Sequence, residues 1–261
     1  MPIALDACIA QHRGDRREQQ DRVALLPHPR GGGVVLAALA DGMGGHAGGA
    51  LAAQQVIHTA RNNLERFVAR SEPPLALLGA SIAEAHMLIK ASRFINEKDP
   101  HSTAVLLLLQ PGKASWVHCG DSRLYRFRGE QPLFRSADHS YVAQLQRQGK
   151  ISAAQALVHP NRNILLTSLG GIEAPTVDRG ESADLLSGDS FLLCSDGLWA
   201  YFDDTELGSV IAATSARQAC ETLLAIARER GAGEGDNISL AILKLVETPA
   251  QSVGGARRVT P

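Results

Sequence analysis

The sequence has almost no net charge, no paired-cysteine motif and no clear interdomain linker, and each lack narrows what the chain can do. Its 26 lysines and arginines face 27 aspartates and glutamates, a formal net charge of -1, so nothing electrostatic calls for nucleic acid or an anionic membrane as a partner. Met1-Pro2-Ile3-Ala4-Leu5-Asp6 has neither the basic start nor the apolar centre of a signal peptide. No apolar run approaches the roughly 20 residues of a membrane span. The expectation is a cytoplasmic protein free of the membrane. Cys8, Cys119, Cys194 and Cys220 form no CxxC pair, and the last three sit in apolar surroundings, so they read as reduced core thiols. A Cys-x5-Arg motif is also missing, which disfavours a covalent thiol mechanism. With 261 residues, 44% hydrophobic and 20% charged, the chain reads as one globular domain over residues 1–246 and a frayed tail, 247–261, rich in Pro, Gly, Ser and Thr.

What is present is organised around Val34 to Gly49, an apolar run that stops at Asp41 and dissolves into glycine. A short, unbroken apolar run reads as a strand buried on both faces. Asp41 then stands where that strand opens, and a charge there costs several kcal/mol in desolvation unless something of opposite sign is near, a metal ion being the obvious candidate. An ordinary Asp-Gly turn explains the same residues. So does a dinucleotide-binding loop, Gly42-x-Gly44-x-x-Ala47. Against that loop, Asp41 would repel a pyrophosphate, and Ser71-Glu72-Pro73-Pro74 leads into a second helix rather than back to a strand.

Along the chain, Ile3–Ala10 and Val23–Leu26 read as strands around a charged segment, His12 to Arg22, of the kind usually found in solvated loops. Ala53, Val56, Ile57, Ala60, Leu64 and Phe67 recur at helical spacing, and a second amphipathic helix begins at Pro74. Residues 103–109, 115–119 and 124–128 read as strands, 141–148 as a short capped helix, and 151–168 as a mobile surface region. A buried strand at 191–194 precedes a helix opened by a capping-box pattern, Asp203-x-x-Glu206. A long helix at 216–230 and a last strand at 238–246 complete the pattern. Helices layered on sheet faces make this an α+β chain.

Four aspartates mark strand ends: Asp41, Asp121, Asp196 and Asp236, each beside a glycine. If those ends converge, the carboxylates cannot all ionise in a dry pocket unless hard divalent cations fill the gap. Oxygen donors without paired His or Cys favour Mg²⁺ or Mn²⁺ over Zn²⁺, and two such ions about 4 Å apart can activate a water for attack on phosphorus.

The pieces Arg16 to Asp21, Asp41-Gly42-Met43-Gly44-Gly45, Ser102-Thr103-Ala104, Gly120-Asp121-Ser122-Arg123, Asp138-His139-Ser140, Leu165 to Gly170, Ser195-Asp196-Gly197 and Gly235-Asp236-Asn237 together resemble the bacterial metal-dependent serine/threonine protein phosphatases of the PP2C (PPM) family, in the family's order and over nearly the whole chain. The resemblance implies a four-layer α-β-β-α sandwich, two antiparallel β-sheets flanked by helix pairs. It implies Asp41 bridging two Mn²⁺ or Mg²⁺ ions, Asp196 and Asp236 completing one, and the Gly42 carbonyl serving the other. Asp21 would serve the bound waters, and Asp121 would hold a third, weaker ion. Arg16 would grip the substrate phosphate with its guanidinium fork, its other reading being a loop arginine paired with Asp15 or Glu18.

By the same resemblance the chain is a phosphoserine and phosphothreonine hydrolase using a metal-activated bridging water, with no phosphoenzyme. Its partners would be phosphorylated proteins and an opposing Ser/Thr kinase, and its working state a monomer. Two positions depart from the pattern. Where relatives usually have Asn-Glu-Asp or Asn-Gln-Asp, this chain has Gln19-Gln20-Asp21, so no carboxylate at position 20 offsets metal charge and weaker metal binding is expected there. Met43, common among bacterial members, stands where the animal enzymes carry a His proposed as general acid, so a metal-bound water or a nearby His must protonate the leaving alkoxide. Residues 141–163 correspond to the family's variable flap, with His139 and His159 at its edges. The competing readings are a non-catalytic module on the same fold, which would lose metal ligands, a phosphatase for an anti-sigma-factor antagonist, and a nucleotide-binding oxidoreductase.

Overall fold

The computed structural model describes residues 3–44, 47–96 and 99–248; Gly45 of the glycine loop and residues 249–261 of the expected tail lie outside them. In chain order the elements are β1 (Ile3–His12), β2 (Arg22–Pro27), β3 (Val35–Ala40), β4 (Gly42–Met43), α1 (Ala47–Arg66), α2 (Pro74–Asn96), β5 (His101–Ser102), β6 (Ala104–Gln110) and β7 (Lys113–Cys119). There follow β8 (Arg123–Arg128), β9 (Gln131–Arg135), α3 (Tyr141–Arg147), α4 (Ala153–Leu157), β10 (Asp178–Ser182), β11 (Asp189–Cys194), α5 (Asp196–Trp199), α6 (Asp204–Ala213), α7 (Ala216–Gly231) and β12 (Ile238–Glu247).

The apolar run became β3, and the reason it carries no polar residue is its position. One face of β3, Leu36, Ala38 and Ala40, packs with Leu106 and Leu108 of β6 under α1 and α2. The other, Ala37 and Leu39, meets Phe191, Leu193, Ala241 and Leu243 of the opposite sheet. That second sheet turns its far face, Tyr125, Phe127, Leu192, Cys194, Leu240 and Ile242, towards α6 and α7. Three apolar layers therefore separate four layers of secondary structure, in the order helix, sheet, sheet, helix. The sheets are five-stranded and antiparallel, ordered β1-β12-β11-β8-β9 and β10-β7-β6-β3-β2, with β4-β5 as a small separate ladder.

The α2 helix differs from the expectation about membrane spans: Pro74–Arg93 is long and apolar enough to cross one by length and composition. Its apolar face instead forms core, with Leu78, Ile82, Ala85 and Ile89 buried against the sheet. Strands β9 and β10 escape the sequence pattern because both are sheet edges with mostly exposed side chains. Pro132 sits in β9 beside a register shift in β8, and β10 reads Asp-Arg-Gly-Glu-Ser. Gly180 of β10 is required, since a Cβ there would lie 2.4 Å from the Trp116 ring. The region 151–168 holds a capped helix, α4, and is pinned by bridges from Leu165 to Ser140 and from Leu169 to Ser102. At α6, Asp203 caps the Glu206 amide at 2.7 Å, while the Glu206 carboxylate turns to Arg230 at 2.6 Å, so the box is only half formed.

Candidate metal centre

Asp21 immediately precedes β2, Asp41 follows β3, Asp121 closes β7 after Gly120, Asp196 follows β11, and Asp236 lies two residues before β12. Antiparallel pairing within each sheet and face-to-face packing between them bring these ends to one rim. Asp21 is fully buried; Asp41, Asp121, Asp196 and Asp236 are partly exposed.

Each carboxylate is set by its backbone. The Asp41 amide donates to Thr103 Oγ1 at 2.9 Å, and its carbonyl accepts from the Thr103 amide at 2.9 Å and the Ser102 hydroxyl at 3.1 Å. Thr103 Oγ1 also meets Ser122 Oγ at 2.7 Å, tying β3 to the segment after β7. Asp21 accepts from Ser195 Oγ at 2.7 Å, and Ser195 Oγ accepts from the Ser239 amide at 3.0 Å. The Asp121 carbonyl accepts from the Trp199 indole at 2.9 Å. Over that indole, at 3.6 Å, lies the Arg123 guanidinium, which grips Asp138 through two 2.8 Å bonds.

The charged segment 12–22, read as a solvated loop, is strapped to this rim. Asn237 accepts from the Gln20 amide at 2.7 Å and donates to the carbonyls of Arg13 and Glu18 at 2.8 and 2.9 Å. Asp15 accepts from the Gly235 amide at 2.8 Å. Arg16 contacts neither Asp15 nor Glu18 as an ion pair among the described residues; its Nη2 lies 2.5 Å from Asp236 Oδ2, and both side chains face solvent.

The charges repel as expected of carboxylates sharing a small volume. Burial, then the charges of Asp21, Asp196 and Asp121, push Asp41 well above the ordinary carboxylate range. Asp121 rises for the same reasons, burial first and then Asp196 and Asp138. Burial pushes Asp21 up to about 7 against the Ser195 hydrogen bond. Asp196 goes to about 6 through burial and Asp236, opposed by the Gly197 amide and Arg16. A cluster that cannot ionise alone, with oxygen donors only and an opening to solvent, fits hard divalent cations. Gly42 fits too: a Cβ on it would lie 2.0 Å from the Gly49 carbonyl oxygen and 2.8 Å from that of Gln20, so only glycine lets the backbone pass so close to the start of α1.

The sequence reading thus placed Asp21, Asp41, Asp121, Asp196, Asp236, Gly42 and Arg16, and all converge. It missed the residues that hold them: Ser195, Asn237, Thr103 and Trp199. Ser195 and Asn237 adjoin two of the aspartates, but nothing in their types distinguishes a clamp from a turn residue. The thiols behave as core groups, with Cys119 pushed up to about 12 by burial.

Fold and rim together define a two-sheet sandwich that presents an acidic cluster where its strands end. A sequence profile described as Protein phosphatase 2C matches residues 10–235. The chain belongs to the protein phosphatase 2C family. It is 32% identical over 224 residues to the serine/threonine protein phosphatase PstP of Mycobacterium tuberculosis, a match covering 82% of this chain and 41% of that protein; the chain thus spans about two fifths of that relative. Among solved structures, PppA, described as a key regulatory component of T6SS in Pseudomonas aeruginosa, superposes with a TM-score of 0.77 at 32% identity, covering 92% of this chain and 97% of that one. The catalytic domain of PstP, solved in complex with two manganese ions, superposes with a TM-score of 0.77 at 27% identity, covering 94% and 100%.

Proposed function

We propose that this protein is a metal-dependent serine/threonine phosphoprotein phosphatase, with Asp41, Asp196, Asp236 and the Gly42 carbonyl holding two Mn²⁺ or Mg²⁺ ions and Asp121 a third. The observation that carries the reading is the meeting of the strand-end carboxylates Asp21, Asp41, Asp121, Asp196 and Asp236 at one rim, where burial first and their neighbouring charges second disfavour ionisation of the first four unless divalent cations are present. When bound, such ions lower the pKa of a coordinated water and offset charge building up on phosphorus.

The chain's own residues do the rest. Thr103 and Ser102 fix the Asp41 backbone from both sides, and Ser195 keeps Asp21 facing the cluster. Arg16 serves as the phosphate fork: its exposed guanidinium already rests on a carboxylate, and a phosphoryl group offers the same pair of oxygens with more charge. Gln20 adds no charge at its position. Met43 pairs in the β4-β5 ladder with His101, so the two side chains share a face. His101 is held through both ring nitrogens, Nε2 by Asp99 at 3.1 Å and Nδ1 by Ser168 at 3.0 Å, so it braces this ladder and presents no free N–H to a leaving group.

Because every residue of the cluster comes from one chain, a monomer suffices. The substrates are phosphorylated proteins, with a serine/threonine kinase acting in the opposite direction in the cytoplasm. The test is hydrolysis of a phosphothreonine peptide. Wild type should be Mn²⁺-dependent and silenced by EDTA, and Asp196→Asn should lose nearly all activity; equal rates in both proteins would refute the assignment.

A further inference from the structure

Beside the carboxylate rim, β7, β10 and the segment before α3 bring together three further donors. One nitrogen each of His118 and His139 and a carboxylate oxygen of Asp178 lie within 4.8 Å of one another. Asp178 stands directly opposite His118 in the β10-β7 ladder. The His118 and His139 rings stack at 4.6 Å, and Asp178 Oδ2 is 3.3 Å from His139 Nε2. Both imidazoles are buried, at 2% and 8% exposure. Asp178 is open to solvent and supplies an entry path.

The hydrogen bonds settle how His118 is set. Its Nε2 lies 2.9 Å from the Ala137 carbonyl oxygen, which can only accept, so Nε2 carries the proton. Its Nδ1 therefore holds a lone pair, and that atom is buried with no partner. A buried unpaired acceptor is costly. An imidazole whose far N–H donates to a backbone carbonyl is also the arrangement in which metal-binding histidines are held. The ring is kept below its usual pKa by burial, so it stays neutral and able to ligate.

We propose that His118 Nδ1, His139 Nε2 and the Asp178 carboxylate form a second metal site, for a Zn²⁺-class ion, separate from the carboxylate centre. Two imidazoles and one carboxylate suit a borderline tetrahedral ion rather than Mg²⁺ or Mn²⁺, with water in the fourth position. Bonds of about 2.0–2.1 Å put ligand atoms around one ion roughly 3.4 Å apart; because the stacked rings hold their lone pairs in nearly parallel planes, binding turns the His139 ring out of the stack as well as drawing the ligands together. His139 must also change tautomer. Its Nδ1 now accepts from the Gly120 amide at 3.3 Å; ligation through Nε2 moves the ring proton from Nε2 to Nδ1, with no net proton release, and removes that acceptor. Gly120 precedes Asp121, so occupancy is felt at the rim.

The test is a Co²⁺ titration of Mn²⁺-saturated protein followed by visible absorption, in which tetrahedral nitrogen-ligated Co²⁺ is intense and six-coordinate Co²⁺ among oxygens is weak. Wild type and Asp41→Asn should both give the intense band. Asp178→Asn, at a solvent-open position, should bind Co²⁺ at least about tenfold more weakly while keeping Mn²⁺-dependent hydrolysis, and His118→Gln should abolish the band. No intense band in wild type, or a band that Asp178→Asn leaves unchanged, overturns the proposal; so does its loss in Asp41→Asn. If His118→Gln fails to fold, Asp178→Asn decides. Because Asp41→Asn disables only the carboxylate centre, failure of this site and failure of the phosphatase reading are separable.

Discussion

Asp21 and Asp196, pushed up to about 7 and about 6, make metal binding a competition with protons. A carboxylate whose folded pKa exceeds its unfolded value of 3.8 stabilises the fold at low pH, and that contribution is lost as pH rises through the folded value. The metal-free protein therefore carries a penalty that grows between about pH 4 and pH 7, from the unfolded to the folded values, and that cations relieve. His12, His86 and His118, held below their usual value first by burial, act in the opposite direction, so the metal-free curve alone does not isolate the cluster. The increment in Tm on adding Mn²⁺ does. It should rise with pH over that window by scanning calorimetry, and Asp41→Asn should flatten it.

Among the elements, the β8-β11 pair is fastened by a buried ionic cluster that no chemistry uses. Asp189 of β11 is completely buried and accepts from Arg126 at 2.8 Å and Arg128 at 2.7 Å. Burial works to raise its pKa, but Arg128 and Arg126 hold it below the usual range. Asp189→Ala would leave the nearly buried Arg126 guanidinium facing fewer acceptors, and removing one member of a buried pair costs roughly 3–5 kcal/mol. Urea unfolding should show a loss of that size, with Mn²⁺-dependent activity retained in the folded fraction.

The central elements were legible because strands buried on both faces are apolar nearly throughout, as in Val35–Ala40 and, up to its terminal glutamine, Ala104–Gln110. The edge strands Gln131–Arg135 and Asp178–Ser182 were not: most of their side chains face solvent and their backbones pair regardless. The same limit hid the clamps. Asn237 looks like a turn residue until the carbonyls of Arg13 and Glu18 arrive from more than two hundred positions away in sequence. His118 looks like one more core residue until β10 places Asp178 opposite it.

At the scale of the molecule, the sandwich places strand ends from both sheets at one rim, so residues far apart in sequence meet without any local motif joining them. Asp21 and Ser195 touch across 174 positions, and Arg16 and Asp236 across 220. A cation pair in that rim would link β2, β3, β11 and β12, making metal occupancy a tie between the two sheets as well as the source of reactivity. Calorimetric titration of metal-free protein with Mn²⁺ examines this arrangement directly. Two ions should bind tightly per wild-type chain, beside a weaker third, and neither of the two tightly to Asp41→Asn, since that carboxylate is assigned to both. Wild-type stoichiometry and affinity in Asp41→Asn would show that the acidic rim does not hold the ions.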